Sequence, residues 1–234
     1  MMKQSQPTIL LTRPLPQSER FAREIAAQIG HVPVMISPLF QARFLQQPPR
    51  AAQGAVIFTS ETGVAAAVAG GHVCPGQIAY CVGSRTAQAA AQAELNPHDA
   101  KGDWRDLALL IQSHCPRGPV TFFCAQDAPT HLETALGHAG YVVARVDVYT
   151  QDILDLSAAA AEVLRGDAPV ILPLFSPKNA QVLARNLPYS PAPLWLACIS
   201  AASLSAFDGA YARSAIAHRP NAAALLDAII NLLQ

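Results

Sequence analysis

Short apolar runs recur along the chain, each closed by a small or hydroxylated residue and followed by an alanine-rich stretch. The runs are Thr8–Leu11, Ala55–Phe58, Ile78–Val82, Val120–Phe123, Val170–Leu174 and Leu194–Ile199. Brief apolar runs of this kind predict buried strands. The stretches after them set apolar side chains on one helical face, as Phe21, Ile25 and Ile29 do after the first run. Leu132, Leu136 and Ala139 do the same after the fourth. Strand then helix, repeated throughout, predicts an α/β protein with parallel sheets flanked by helices. Gly30 and Gly140 follow two of those helices and suit left-handed C-terminal caps.

Two kinds of unit occur twice. One is strand, loop, helix, glycine, strand, from Ile9 to Ile36 and again from Val120 to Val148. Aligning Gly30 with Gly140 sets Val32, Val34 and Ile36 beside Val142, Ala144 and Val146. The other is a strand ending in serine, a helix, a second strand, then a small residue and a hydroxyl three positions on. It reads Phe58-Thr59-Ser60 with Gly83-Ser84-Arg85-Thr86, and Phe175-Ser176-Pro177 with Ser200-Ala201-Ala202-Ser203. Ser60 to Thr86 spans 26 positions and Ser176 to Ser203 spans 27. The chain is therefore expected to form two similar lobes, with its function in the cleft between them. Pro38–Gln53 and Asp147–Leu156 break the alternation and read as extended connections.

At 234 residues and 51% apolar, the chain has ample material for a core. Lys+Arg and Asp+Glu both count 16, and this balance argues against nucleic acid or an anionic membrane as the main partner. An acidic small molecule stays open, because helix amides and a few basic residues could hold it. No apolar stretch reaches the roughly 20 residues of a membrane span, and the polar start lacks the blocks of a secretory signal. A cytoplasmic location is the expectation. The five cysteines form no CxxC pair, the histidines form no HExxH, and neither type suggests a metal site.

Ligands of doubly wound sheets bind where strand carboxyl ends lead into helices. Those places hold Thr12-Arg13-Pro14, Thr59-Ser60, Gly83-Ser84-Arg85-Thr86, Ala125-Gln126-Asp127, Ser176-Pro177-Lys178 and Ser200. Free amides at a helix start favour an anion, and hydroxyls add donors. The competing explanation for each hydroxyl is ordinary N-capping. No GxGxxG or GxxxxGK[ST] is present, so nicotinamide, flavin and nucleotide chemistry lose support. Neither Ser60 nor Ser176 lies in a GxSxG elbow. Gly70-Gly71 fits a turn that needs positive φ. Tyr149, near the second connection, is either a packing residue or a functional phenol.

Together these residues resemble uroporphyrinogen-III synthases. The marks are Leu11-Thr12-Arg13-Pro14, Phe58-Thr59-Ser60, Val82-Gly83 leading to Thr86-Ala87, Val148-Tyr149, Phe175-Ser176-Pro177, and a last helix entered through Pro220. The resemblance implies a discontinuous first lobe of residues 1–37 and 157–234. It implies a second lobe of residues 54–146, and a two-stranded connection through 38–53 and 147–156. It also implies a lyase that cyclises hydroxymethylbilane, a linear tetrapyrrole with eight carboxylates, with inversion of ring D and loss of water. No metal or cofactor is called for, and a monomer is expected. Tyr149 resembles the family's tyrosine, the candidate acid. The substrate would meet Arg13, Thr59, Ser60, Gly83, Ser84, Thr86, Ser176, Ser200 and Ser203. Ser200 stands where the family often has glycine. The loop Cys124–Thr130 lacks the Arg-Gly and following Arg frequent there, with His131 at hand as a basic replacement. The alternative is a two-lobed protein that binds an anionic small molecule without converting it. A Rossmann-type oxidoreductase is disfavoured.

Overall fold

A computed structural model describes residues 6–46, 48 and 52–234. The chain begins with β1 (Thr8–Leu11), α1 (Leu15–Ile29), β2 (Val34–Ile36) and β3 (Phe40–Phe44). There follow β4 (Ala55–Phe58), α2 (Glu61–Ala69), β5 (Ile78–Cys81), α3 (Ser84–Gln92) and β6 (Asn96–Asp99). Next come α4 (Trp104–His114), β7 (Pro119–Ala125), α5 (His131–His138) and β8 (Val142–Ile153). The last part holds α6 (Ala158–Arg165), β9 (Val170–Leu174), α7 (Pro177–Asn186), β10 (Leu194–Cys198), α8 (Ala201–Ser205), β11 (Arg213–Ile216) and α9 (Ala222–Leu233).

These elements form two compact units, Met1–Gln41 with Asp152–Gln234, and Ala42–Gln151. The first holds a sheet of order β11-β10-β9-β1-β2, and the other sheet has the order β3-β8-β7-β4-β5-β6. All four pairings within β11-β10-β9-β1-β2 are parallel, as are all four within β8-β7-β4-β5-β6. Laid over one another, the two orders match strand for strand, β2 with β8, β1 with β7, and β9, β10 and β11 with β4, β5 and β6. The internal repeat is thus a repeat of sheet topology. The α/β class of parallel sheets flanked by helices is what the strand-helix alternation predicts.

Alternate side chains of each strand serve opposite faces. In the first unit Leu10, Leu172, Leu174 and Leu196 pack toward α6 and α7, while Ile9, Leu11 and Ile171 pack toward α1 and α9. In the second, Val56, Phe58 and Phe123 pack toward α2 and α3, and Ile57, Phe122 and Cys124 toward α4 and α5. Each unit therefore has its own two-sided core. Helix α1 contributes Ser18, Phe21 and Ile25 from one stripe.

The edge strands and Gly30 differ from the sequence expectation. Strands β6 (Asn-Pro-His-Asp) and β11 (Arg-Ser-Ala-Ile) give no apolar run, because both lie at sheet edges, where polar residues and proline are tolerated. Part of the Pro38–Gln53 connection is β3, which lies beside β8. The Leu45 N–H donates to Val148 O at 2.9 Å and the Leu154 N–H to Leu39 O at 3.0 Å, an antiparallel arrangement. Strand β8 itself continues to Ile153, so most of Asp147–Leu156 is strand. Gly30 has φ 79° but ψ −137°, a glycine conformation outside the left-handed helical cap. Gly140 and Gly71 have φ of 88° and 66°.

All five cysteines are free, with Cys81, Cys124 and Cys198 buried and Cys74 exposed. Burial pushes the thiols of Cys81 and Cys124 up to about 12 and that of Cys198 up to about 11. A thiol reagent near neutral pH should label Cys74 first and spare those three until the chain unfolds. Rapid labelling of Cys81 in the native protein, read by peptide mass spectrometry, would contradict this. Because the folded values lie above the ordinary 9, the thiols favour folding fully below pH 9. That contribution is lost as pH rises toward 11–12, so melting temperature should decline on the alkaline side.

Candidate functional site

Chain order reverses between β1 and β9 in one sheet and between β7 and β4 in the other. Such switch points open crevices at the strand carboxyl ends. In the first unit the β1–β9 ladder runs only from Thr8↔Val170 to Ile9↔Ile171. The Val170 N–H points to β10, where it meets Pro193 O. By alternation the backbone of residue 173 faces β1, and Pro173 has no N–H to carry the ladder on.

Beyond that point Thr12 and Asn179, 1% and 4% exposed, bridge the two elements, the Asn179 amide donating to Thr12 Oγ1 at 3.1 Å. Ser176 caps α7 by accepting from the Asn179 N–H at 3.1 Å. Arg13 lies with its guanidinium 4.2 Å from the ring centre of Phe175, which meets Phe21 edge-on. Arg13 and Ser176 thus stand at neighbouring strand ends. Lys178, in the first turn of α7, lies over the Phe40 ring at 5.5 Å. Ser200 caps α8 through the Ser203 N–H at 3.3 Å, and its hydroxyl lies 3.2 Å from that of Ser203, which is fully buried.

In the second unit Ser60 caps α2 by accepting from the Gly63 N–H at 2.9 Å. Its hydroxyl also meets the Tyr149 hydroxyl at 3.0 Å. Capping occupies an oxygen lone pair and leaves the serine proton free to donate. Tyr149 reaches Ser60 because of a β-bulge: Cys124 pairs with Asp147, but Ala125 pairs with Tyr149, leaving Val148 as the extra residue. Arg145 and Asp147 alternate with Val146, which packs on the α2 side. Without the shift Tyr149 would share their face. With it, the ring joins the core that holds Val64 and Phe58. The phenol is 6% exposed, and burial raises its pKa above the usual 10, with the Asp127 charge adding to that and the Ser60 bond opposing it. The hydroxyl is therefore held neutral.

The other expected contacts occupy varied settings. Thr59 is half-buried beside Ser60. Gly83 caps α3 with extended backbone, and a Cβ added there would meet no protein atom within 4 Å. Neither φ nor protein packing demands glycine at this position. Ser84 turns its hydroxyl to Asp99 at 2.6 Å, and Thr86 is 5% exposed on the inner side of α3. Sequence reading overlooks Asn179 and Arg145. Asn179 is signalled only by its place three residues after a capping serine. Arg145 is signalled by alternation with Asp147 on an otherwise apolar strand. A cavity of about 640 Å³ lies toward the amino ends of β4 and β7, beside Gln53, Pro119 and His72. Its lining extends along β7 and β8 to Phe123, Arg145 and Asp147. Among the described residues no group of three or more His, Cys, Asp or Glu could hold a metal ion, and no helix is long and apolar enough to cross a membrane.

Fold and site define a duplicated doubly wound α/β protein whose strand ends carry helix-capping hydroxyls and one buried phenol. The family model described as uroporphyrinogen-III synthase HemD matches residues 19–227. The chain belongs to the uroporphyrinogen-III synthase family. Among solved structures, uroporphyrinogen-III synthetase from Helicobacter pylori 26695 aligns with TM-score 0.64 at 15% identity, covering 97% of this chain and 100% of that one. A mutant uroporphyrinogen III synthase from the extreme thermophile Thermus thermophilus aligns with TM-score 0.54 at 16% identity, covering 97% and 99%. At these identities the likeness speaks for the fold alone. No curated protein sequence matches the chain.

Proposed function

We propose that the protein is a uroporphyrinogen-III synthase, a lyase that closes hydroxymethylbilane with inversion of ring D and release of water. The observation that supports this best is the buried Tyr149–Ser60 pair at the end of the second sheet, in a chain of this family. Loss of hydroxide from hydroxymethylbilane needs a proton, and a neutral phenol supplies one at working pH. The pyrrole nitrogen then drives out water, leaving an azafulvenium cation. Closure at the substituted carbon of ring D gives a spiro intermediate, which reopens and closes at the other side. The proton released when the pyrrole regains aromaticity balances the one donated.

The remaining residues bind carboxylates. Ser60, Ser176 and Ser200 bring hydroxyls to the starts of α2, α7 and α8, and the surface at Gly83 is open to an approaching group. Arg13, Thr59, Ser84, Thr86 and Ser203 complete the proposed set. Thr86 and Ser203 act from beneath, since both are buried. Residues 38–53 and 147–156 serve as the connections between lobes of residues 1–37 with 157–234, and 54–146. The protein works as a cytoplasmic monomer and takes neither nucleic acid nor membrane as partner.

Incubation with freshly made hydroxymethylbilane tests the activity directly. Isomer III should exceed isomer I by far. A ratio equal to that of the uncatalysed reaction, with ligand still bound, would leave only a binding protein. Arg13→Ala should weaken binding by roughly 1–3 kcal/mol, the range of a charge-assisted hydrogen bond, with a small change in melting temperature. Normal product affinity with early melting would make Arg13 structural.

A further inference from the structure

Arg145 sits three residues before Val148, the extra residue of the bulge, and saturates its guanidinium. Its Nε–H donates to Asp147 Oδ1 at 2.8 Å. One terminal nitrogen donates to Glu133 Oε1 at 2.8 Å and to Ala128 O at 3.1 Å. The other donates to Ala125 O at 3.0 Å and to Gln126 O at 3.2 Å. A guanidinium has five N–H donors, and all are used. The carboxylates compensate a cation whose side chain is only 24% exposed. The three carbonyls belong to the loop that leaves β7, beginning at the residue where the ladder with β8 slips. That loop also touches Tyr149, through the Gln126 N–H to Tyr149 O at 2.9 Å.

We propose that Arg145 is a positioning residue for Tyr149: it pins the end of β7 in the shifted register that turns the phenol onto the Ser60 face. The assignment deepens the synthase reading and rests on it. A bulge leaves backbone groups out of the ladder, and bonds from outside the ladder help to hold the slipped end. Here Arg145 supplies them, from the opposite face of the same strand. Lysine cannot replace it, because an ammonium has three donors and no planar fork to span Glu133, Asp147 and the loop carbonyls.

The test is a double-mutant cycle with two readouts. Arg145→Lys should lower kcat roughly tenfold with KM within about twofold, as misplacement of a catalytic group does. In the Tyr149→Phe protein the same change should lower kcat less than about twofold, since the group it positions is already gone. Equal losses in both backgrounds would make Arg145 ordinary structural support and overturn the proposal while the synthase reading stands. Absorbance titration of the phenol, taken as the difference between each protein and its Tyr149→Phe counterpart, needs no activity. Arg145→Lys should move the Tyr149 midpoint down toward an ordinary phenol's, and an unmoved midpoint overturns the proposal. If Arg145→Lys does not fold, Glu133→Gln keeps the guanidinium and removes one anchoring charge. It should show the same pattern at smaller size, and additive losses there would equally overturn it. A wild-type protein that makes no isomer III but shows the shifted midpoint would sink the synthase reading alone.

Discussion

Tyr149→Phe is expected to lower turnover by roughly tenfold to a thousandfold while leaving substrate affinity nearly unchanged. The substitution removes one oxygen and keeps a ring that is 6% exposed and packed in the core of the second unit. Folding loses the single bond to Ser60 at 3.0 Å, so the melting temperature should fall only slightly. The electron push of the pyrrole and the fixed substrate conformation would leave residual activity. Because burial holds the phenol above its usual pKa of 10, the acid should persist through the range where a free tyrosine ionises. The measurement is single-turnover kinetics at saturating substrate. Full activity there would reduce Tyr149 to packing and pass the proton transfer to cleft amides and water.

Phe123→Ala should have the largest effect on stability, roughly 3–5 kcal/mol. The ring is 1% exposed, and it stacks on Phe58 and on His72 at 5.7 Å in each case. The cavity would open in a core that holds residues of the second unit alone. Calorimetry should therefore show part of the transition moving to lower temperature, with the remainder near its original place. A melting curve indistinguishable from wild type would mean that the site repacks, and that the core is looser than its burial indicates.

The central strands were legible because they are buried on both faces, so that Thr8–Leu11, Ala55–Phe58 and Val170–Leu174 give unbroken apolar runs with matching bounds. Edge strands β6 and β11 were not, since an edge needs hydrogen-bonded backbone more than apolar side chains. Serines 60, 176 and 200 could be placed at helix starts, because capping is local and leaves a short sequence signature. The meeting of Ser60 with Tyr149 is different in kind. It joins residues 89 positions apart and depends on a one-residue slip in a ladder. Simple alternation puts Tyr149 on the same face as Arg145. Only the pairing partner, which is far away in sequence, decides otherwise.

The matched sheet orders carry a consequence for synthesis on the ribosome. The unit of Ala42–Gln151 is one continuous stretch and can complete its parallel sheet as soon as β8 has emerged. The other unit starts earlier and finishes later, because Ile9 pairs with Ile171, 162 residues downstream. At about 5–20 residues per second, β1, α1 and β2 must wait roughly 8–30 seconds for β9. During that interval Ile9, Leu10 and Leu11, all buried in the finished protein, have no partner on the β9 side. The segment from β1 to β2 thus waits longest for its sheet partner, and it is where a chaperone would find its substrate.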